Sequence, residues 1–288
     1  MSRGFRVAAI VIVLAVAGLL ALRHIAGTSG GKPCEHQTCG AATTATSAMT
    51  SRWDVRGLYI SWGCCKSDLA AAASLGFNAV SVGAYRQRLD YLQSLGLKGL
   101  VWLGGYDNAT CRFVFSDDEL TTKVRAIAGH PAILGYEIDN EPHAYTCPSA
   151  PSQIAHRVAL VRSLVGPNVI LYLTLSQDFA AFADSGVDLI RISAYPCSGA
   201  YGCVMQKIVD KVAAARAAGF TRIWGGTQSA GDNYYRPPTP PELARIQQTW
   251  REQGAEGYVA WAWDGHGTTH PLRANTALRA AWKMQNTK

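Results

Sequence analysis

Residues 133–143 read ILGYEIDNEPH, an apolar run that ends in three closely spaced carboxylates, Glu137, Asp139 and Glu141. Side chains two positions apart in an extended strand point to the same side, so this spacing predicts a strand with all three acids on one face. Pro142 cannot donate to a sheet ladder and ends the predicted strand. Charged groups are costly inside a protein unless they are paired or take part in chemistry. The stretch therefore predicts a buried strand that carries acidic groups to a functional site.

The same alternation of a short apolar strand, a loop and an amphipathic helix recurs from Trp53 onwards. The predicted strands are 55–61, 79–83, 99–104, 133–139, 169–175, 189–195, 222–227 and 257–263. The predicted helices are 66–75, 86–95, 117–129, 152–165, 204–218, 240–253 and 274–284. Eight such units suit an eight-stranded parallel barrel of about 250 residues.

We therefore predict an α/β protein whose residues 53–288 form a (β/α)8 TIM barrel. The alternative is an open, doubly wound sheet. No glycine-rich phosphate loop follows an early strand, which disfavours the nucleotide-binding form of that alternative.

The N-terminal region predicts export. Residues 7–22 are uninterrupted apolar residues preceded by two arginines. This run is longer than the usual core of a signal peptide and slightly short for a comfortable membrane span. We see no convincing cleavage site, so residues 1–23 are predicted to be a signal anchor with a cytoplasmic N-terminus; a cleaved signal peptide is the alternative. Residues 24–52, rich in Gly, Ala, Thr and Ser, are predicted to be a flexible linker. The barrel is thus expected outside the cytoplasm, tethered to the membrane or secreted.

The charge distribution and the cysteine content argue against nucleic-acid binding and zinc binding. The chain has a net charge of +7, but no run of basic residues occurs beyond residue 52, so nucleic-acid binding is not indicated. There are eight cysteines, with no CxxC pair that would indicate a zinc site. An even number in an exported protein is expected to form disulfides.

Six of these cysteines follow strand ends at one end of the barrel, and we expect all six to be oxidised. Cys197 is predicted to pair with Cys203 within one loop. Cys64, Cys65, Cys111 and Cys147 are expected to tie the first, third and fourth loops together in a connectivity left open. Cys34 and Cys39 could close a small loop in the linker.

A strand that ends in Asn140, Glu141 and Pro142 resembles strand four of the clan A glycoside hydrolases. In those enzymes the Glu is the general acid/base and the Asn holds a substrate hydroxyl. The resemblance implies that Glu141 donates a proton in an exported enzyme acting on a polysaccharide or oligosaccharide. Tyr195, at the end of strand six, matches the Tyr or His that often lies beside the nucleophile. On strand eight, Trp261 or Trp263 matches the aromatic platform under the cleaved sugar.

Strand seven departs from the family pattern, because Gln228 stands where the family places its nucleophilic Glu. An amide cannot form the glycosyl-enzyme of a retaining mechanism. In one interpretation the substrate's own N-acetyl oxygen attacks, since the E-x-D-x-E spacing is similar to the strand-four motif of family 18 chitinases, and Asp139 orients that group or tunes Glu141. In another, Asp264 or Asp232 is the base of an inverting reaction. In a third, the barrel binds glycan without cleaving it.

Three further groups of residues are expected to contact sugar, to stabilise the structure, or to lie near the cleft without binding a metal. Expected sugar contacts are Asn140, Tyr195, Gln228, Trp261, Trp263, Asp264, Trp102 and Tyr106. Glu137 and Arg191 lie at comparably inward positions and are expected to form a buried ion pair. The histidines near the cleft, His143, His266 and His270, lack an accompanying set of acidic ligands. No metal or cofactor is expected.

Overall fold

The computed structural model describes residues 53–61, 65–265 and 267–287. Its centre is a closed barrel of eight parallel strands in which each strand lies beside its neighbours in the chain. The strands are β1 (Val55–Leu58), β2 (Ala79–Gly83), β3 (Lys98–Trp102), β4 (Ile133–Asn140), β5 (Ile170–Leu175), β6 (Leu189–Ser193), β7 (Ile223–Gln228) and β8 (Gly257–Trp261). Val55 of β1 pairs with Gly257 of β8, which closes the barrel. The predicted TIM barrel is confirmed, and the open sheet is excluded.

Within the described residues, seven helices surround the strands: α1 (Lys66–Ser74), α2 (Arg86–Ser94), α3 (Asp117–Ile127), α4 (Ala150–Val165), α5 (Gln206–Ala217), α6 (Pro240–Glu252) and α7 (Thr276–Thr287). They occupy the predicted positions. The connection from β5 to β6 holds only a 3-10 turn, Phe179–Phe182. Several strands end two or three residues earlier than predicted, because the chain bends there into loops at the carboxyl end of the barrel.

The core has two layers that follow from strand alternation. Side chains on one face of the strands fill the barrel interior: Val55, Ala79, Leu100, Tyr172, Leu189, Trp224 and Val259. The opposite face packs against the helices in a larger cluster. Gly225 of β7 illustrates the close packing, because a Cβ there would lie 2.6 Å from the ring of Trp250 on α6. A packed interior of this kind leaves the strand ends as the place for a binding site.

Two helix starts are fixed by side chains that the sequence places at their N-caps. Ser116 and Glu119 form a capping box at α3, and Thr239 and Glu242 form one at α6. In each box the cap oxygen and the Glu satisfy backbone N–H groups that the helix leaves unpaired. These caps set where the loops that border the site end and the outer helices begin.

Two disulfides brace the loops at the carboxyl end of the barrel. The predicted Cys197–Cys203 pair is confirmed. Cys111 pairs with Cys147 across the loops that follow β3 and β4. The expectation that all six cysteines of the barrel are oxidised is wrong for Cys65, which is free and exposed among the residues that the structure describes. Cys111 and Cys147 are bonded to each other, so neither is available to form a disulfide with Cys65 at the start of α1.

Among the described residues, no helix is long and apolar enough to cross a membrane. The predicted anchor at residues 7–22, the linker at 24–52 and three cysteines, Cys34, Cys39 and Cys64, lie outside the described residues.

Candidate active site

The β4 strand buries two carboxylates and leaves the third partly exposed after its last residue. Glu137 and Asp139 are each only 1% exposed. Glu141 follows the strand with a φ of 59°, in the left-handed region. The prediction of three acids on one face is wrong, because the pairing with β5 shifts register between Glu137 and Asp139 and the strand ends before Glu141. Its backbone N–H donates to the Thr174 carbonyl (2.9 Å), which fixes this turn to β5.

Glu137 and Arg191 form the buried ion pair that their inward positions predicted. Arg191 Nη2 lies 3.1 Å from Glu137 Oε1. Thr174 and Tyr172 donate hydroxyl hydrogen bonds to the same carboxylate, at 2.6 and 3.2 Å. Because Glu137 is so fully engaged, we assign it to the floor of the site. Arg191 Nη2 also donates to Asn140 Oδ1 (3.1 Å), which connects that floor to the residue before Glu141.

Asp139 combines deep burial with an unused acceptor. Its Oδ1 accepts the backbone N–H of Tyr106 at 2.7 Å. Its Oδ2 is buried and has no hydrogen-bond partner within the part of the chain that the structure describes. Burial raises the pKa of Asp139 to about 7, against the lowering effect of its backbone hydrogen bonds. Asp139 is thus a carboxyl that changes protonation near neutral pH.

Glu141 lies towards the β6 and β7 side of the barrel mouth and is partly exposed. Burial lowers the pKa of the Lys211 ammonium, and the Glu141 carboxylate opposes this shift. Burial also raises the pKa of Tyr195, and Glu141 adds to the rise. The Lys211 ammonium donates to the Ser193 carbonyl at 2.7 Å, so it is held near this acid by β6. Sequence reasoning missed Lys211, because a lysine in an amphipathic helix usually only faces solvent.

Beside Glu141, three partly exposed aromatic rings form a continuous surface. Tyr195 stacks on Trp261 with ring centroids 5.0 Å apart and an interplanar angle of 21°. Tyr235 meets Tyr195 edge-on at 5.4 Å. Flat aromatic surfaces of this kind suit the apolar face of a sugar ring. Tyr235 was also missed by sequence reasoning, although its NYYRP segment, residues 233–237, lies in the loop after strand seven.

Trp263 does not belong to this surface, and its expected sugar contact is wrong. It is 3% exposed. It borders a shallow depression with Leu75 beside α1 and with Thr276 at the start of α7. The strand ends at Trp261, so the alternation that would have returned the side chain to the barrel mouth does not continue to Trp263.

Gln228 occupies the end of β7 as predicted, but a sugar contact from it is also wrong. The side chain is fully buried. Its Nε2 donates to the carbonyls of Cys197 (2.8 Å) and Arg236 (2.7 Å). Its Oε1 accepts the Cys197 N–H at 2.8 Å. Gln228 therefore joins the loops after β6 and β7, and no amide group remains for a ligand.

The two acids considered as alternative bases have structural partners. Asp264 Oδ1 accepts the Ser61 N–H at 3.0 Å, and Arg273 lies 3.9 Å from its Oδ2. Asp232 Oδ1 accepts the backbone N–H groups of Tyr234 and Tyr235, both at 2.7 Å, and so stabilises a turn. Asp264 is the better placed of the two, because it directly follows β8 at the barrel mouth.

A cavity of about 250 Å³ opens at the ends of β1 to β4. Its lining includes Tyr59, Trp102, Tyr106, Glu137, Asp139 and Asn140. Glu141, Tyr195 and Trp261 are not among the residues that line it. The predicted residues Trp102, Tyr106 and Asn140 line this cavity together with Asp139.

Comparisons with known proteins support the fold. No protein-family model matches the chain, and no curated protein matches it. Among solved structures, the endo-1,4-β-D-mannanase of Thermotoga petrophila RKU-1 is 12% identical with a TM-score of 0.58, over 82% of this chain and 99% of that one. The mannanase catalytic domain of Streptomyces sp. SirexAA-E is 17% identical with a TM-score of 0.53, over 76% and 77%. The β-galactosidase of Bacillus circulans sp. alkalophilus is 9% identical with a TM-score of 0.64, over 82% and 55%. The chain thus shares the barrel fold of these glycoside hydrolases.

Proposed function

We propose that this protein is an exported glycoside hydrolase that acts on a polysaccharide, with Glu141 as its general acid/base. One observation carries the proposal: the partly exposed Glu141 follows β4 at the carboxyl end of a closed barrel, beside the stacked rings of Tyr195 and Trp261. Catalytic residues of such barrels lie at the carboxyl ends of the strands. The barrel fold shared with mannanases and a β-galactosidase agrees with this reaction class.

The residues around Glu141 have distinct roles in this proposal. Glu141 protonates the glycosidic oxygen of the leaving sugar. The rings of Tyr195 and Trp261 support the sugar ring whose bond is cleaved. Asn140 holds a substrate hydroxyl, with its side-chain oxygen fixed by Arg191. Hydrogen bonds to the sugar 2-hydroxyl that strengthen in the transition state, together with substrate distortion, contribute several kcal/mol to catalysis in glycosidases.

A substrate-assisted mechanism fits the site better than a protein nucleophile. Gln228 supplies no carboxylate at the end of β7, and its amide is fully engaged. Asp139 Oδ2 has no partner within the described residues and borders the cavity. It is therefore able to orient a substrate acyl-amino group whose oxygen attacks the sugar carbon. An inverting reaction with Asp264 as base is the second mechanistic route; it requires a carboxyl separation of about 6.5–9.5 Å.

Glycan binding without cleavage is the alternative function, and the state of Gln228 favours it. A barrel that replaced its nucleophile by a structural amide retains the ring surface of Tyr195 and Trp261 and the cavity beside Asp139. Such a protein would bind a polysaccharide with those groups and release no product.

The deciding experiment incubates the full chain with a panel of polysaccharides and measures both binding and new reducing ends. Glu141→Gln keeps the shape of the side chain but removes its transferable proton. We expect this variant to bind glycan and to lose about 10²–10⁴-fold in turnover, the usual contribution of general acid catalysis. Glu252→Gln, on the exposed surface of α6, is the matched control.

Two outcomes would contradict parts of the proposal. Unchanged turnover in Glu141→Gln would remove Glu141 from the mechanism. Wild-type protein that binds a glycan but releases no reducing ends would establish the alternative, a binding protein.

A further inference from the structure

The cavity beside Asp139 carries two positive charges that the proposed reaction does not use. Arg88 of α2 and Lys123 of α3 are both half-buried and line the same cavity as Trp102. Within the described residues, neither forms an ion pair. Two cations at the wall of a sugar-sized cavity favour a negatively charged ligand, because each would be attracted to an anion bound there.

Both cationic groups are held at the cavity by aromatic rings that also line it. The Arg88 guanidinium lies 5.0 Å from the centroid of Tyr85. The Lys123 ammonium lies 4.5 Å from the centroid of Phe115. Cation–π contacts of this type contribute about 0.5–1 kcal/mol at exposed sites and leave the hydrogen-bond donors of the cation available to a ligand.

Two glycines at strand ends make room for these rings. A Cβ at Gly83 would lie 2.9 Å from the Tyr85 ring. A Cβ at Gly104 would lie 2.2 Å from the Phe115 ring, and Gly104 has a φ of +104° that other residues rarely adopt. The sequence at the ends of β2 and β3 therefore permits the ring positions that support Arg88 and Lys123.

The acids close to these cations are engaged elsewhere. Glu119, one turn before Lys123 on α3, accepts hydrogen bonds from the backbone and side chain of Ser116 in the capping box, and these lower its pKa more than the charge of Lys123 does. Glu137 is paired with Arg191 at the floor. The other acid lining the cavity among the described residues is Asp139, in which burial favours the neutral form. The cavity thus has an excess of positive charge.

We propose that this cavity is a subsite for a sugar ring that bears an anionic group, foremost the carboxylate of a uronic acid, and that Arg88 and Lys123 bind this group. The assignment rests on the proposed action on a polysaccharide and names its substrate class. A guanidinium binds a carboxylate or a sulfate through two parallel hydrogen bonds, and the lysine adds a second charge. Trp102 lies where it can contact the ring that carries the anion.

The test compares acidic polysaccharides with neutral forms of the same backbone. One arm uses uronic acid polymers and the same polymers with their carboxylates reduced to alcohols. A second arm uses a sulfated galactan and its desulfated form. For the full chain we expect the acidic member of a pair to bind at least about 10-fold more tightly, the usual effect of a charged hydrogen bond, and this preference should weaken as salt increases.

The variants Arg88→Gln and Lys123→Gln should each reduce the acidic-to-neutral ratio about 10-fold. Arg86→Gln on α2 and Arg125→Gln on α3 are the controls, because they remove the same charge from exposed positions of the same helices. Thermal unfolding of each variant verifies that the barrel is intact.

The outcomes separate this inference from the proposed function. Preference for the uronate pair alone or the sulfate pair alone identifies the anion that the subsite takes. Equal binding of acidic and neutral forms, or equal effects of the control variants, overturns the anionic subsite and leaves glycan action standing. If the wild-type chain binds no polysaccharide of either kind, the subsite and the proposed function both fail.

Discussion

The stability of this protein is expected to depend on pH through the protonation of Asp139. Burial raises its pKa from 3.8 to about 7, so the folded protein binds this proton more tightly than the unfolded chain does. The stabilisation is complete below pH 3.8 and is lost as the pH rises to about 7. Relative to Asp139→Asn, the wild type should therefore gain stability on acidification, by up to about 1.4 kcal/mol per pH unit in this window.

Urea unfolding at a series of pH values measures this difference between the two proteins. Asp118→Asn, at an exposed position of α3, is the control and should leave the pH dependence unchanged. Parallel stability curves for wild type and Asp139→Asn would show that Asp139 titrates as it does in the unfolded chain.

Gln228 is a fully buried side chain whose replacement by Glu should destabilise the protein. Gln228→Glu would add a carboxylate at the end of β7, but that carboxylate would face the carbonyl oxygens of Cys197 and Arg236 without a proton to donate. We expect a loss of about 2–4 kcal/mol at neutral pH, since buried acceptors lose their donor and a charge is buried. The loss should shrink in acid, where a protonated Glu can donate.

Denaturant unfolding at pH 7 and pH 4 tests this expectation for Gln228→Glu. Gln93→Glu, at an exposed position of α2, provides the same chemical change without burial. A variant as stable as the wild type at pH 7 would mean that the loops after β6 and β7 rearrange freely around this side chain.

At the scale of elements, the two disulfides constrain loops of very different length. Cys111 and Cys147 are 36 residues apart and connect the loops that follow β3 and β4, whereas Cys197 and Cys203 are 6 residues apart. In the chain-entropy description, a longer closed loop removes more freedom from the unfolded chain. Replacing Cys111 and Cys147 by Ser should cost about 4 kcal/mol, against about 2 kcal/mol for Cys197 and Cys203.

Thermal unfolding of the two double serine variants, each compared with the oxidised wild type, gives this order directly. Cys65→Ser serves as the control, because Cys65 is free and exposed. The reverse order would indicate that the Cys197–Cys203 bond acts mainly in the folded state, through the loop that Gln228 anchors.

At the scale of the whole molecule, the barrel is closed by its own two ends. The first strand, β1, pairs with the last, β8, and Asn286 of α7 donates to the Leu75 carbonyl after α1 at 2.9 Å. Asn286 also accepts the hydroxyl of Tyr258 from β8. Closure removes the sheet edges that would otherwise be open to other chains.

The N-terminal region makes a separate prediction for the whole chain. Residues 7–22 are expected to cross the membrane once and to remain attached, because two arginines precede the run and no cleavage site follows it. Membrane fractions should contain the full chain, and N-terminal sequencing should begin at the first residues. A mature protein that begins beyond residue 26 would establish the cleaved signal peptide instead.

The barrel could be predicted from the amino-acid sequence alone, because its strands and helices follow from local residue patterns. Short apolar strands, amphipathic helices and glycine stops recur often enough to predict eight units, and each unit obeys rules that involve neighbouring residues. The Glu137–Arg191 pair followed from strand alternation in the same way, whereas the register shift between Glu137 and Asp139 did not. The Cys197–Cys203 bond was predictable because its partners share one loop.

Which residues near the strand ends face the site could be seen only in the folded protein. Trp261 lies in the ring surface and Trp263 in the core, although both belong to the same predicted strand. The Gln228 amide is hydrogen-bonded to backbone groups of two loops, and Cys65 has no disulfide partner among the described residues. Beyond the last residue of a strand the alternation no longer holds, and side-chain direction depends on contacts between loops distant in sequence. No local pattern records those contacts, so Lys211, Arg88 and Lys123 became candidates only once the barrel had closed.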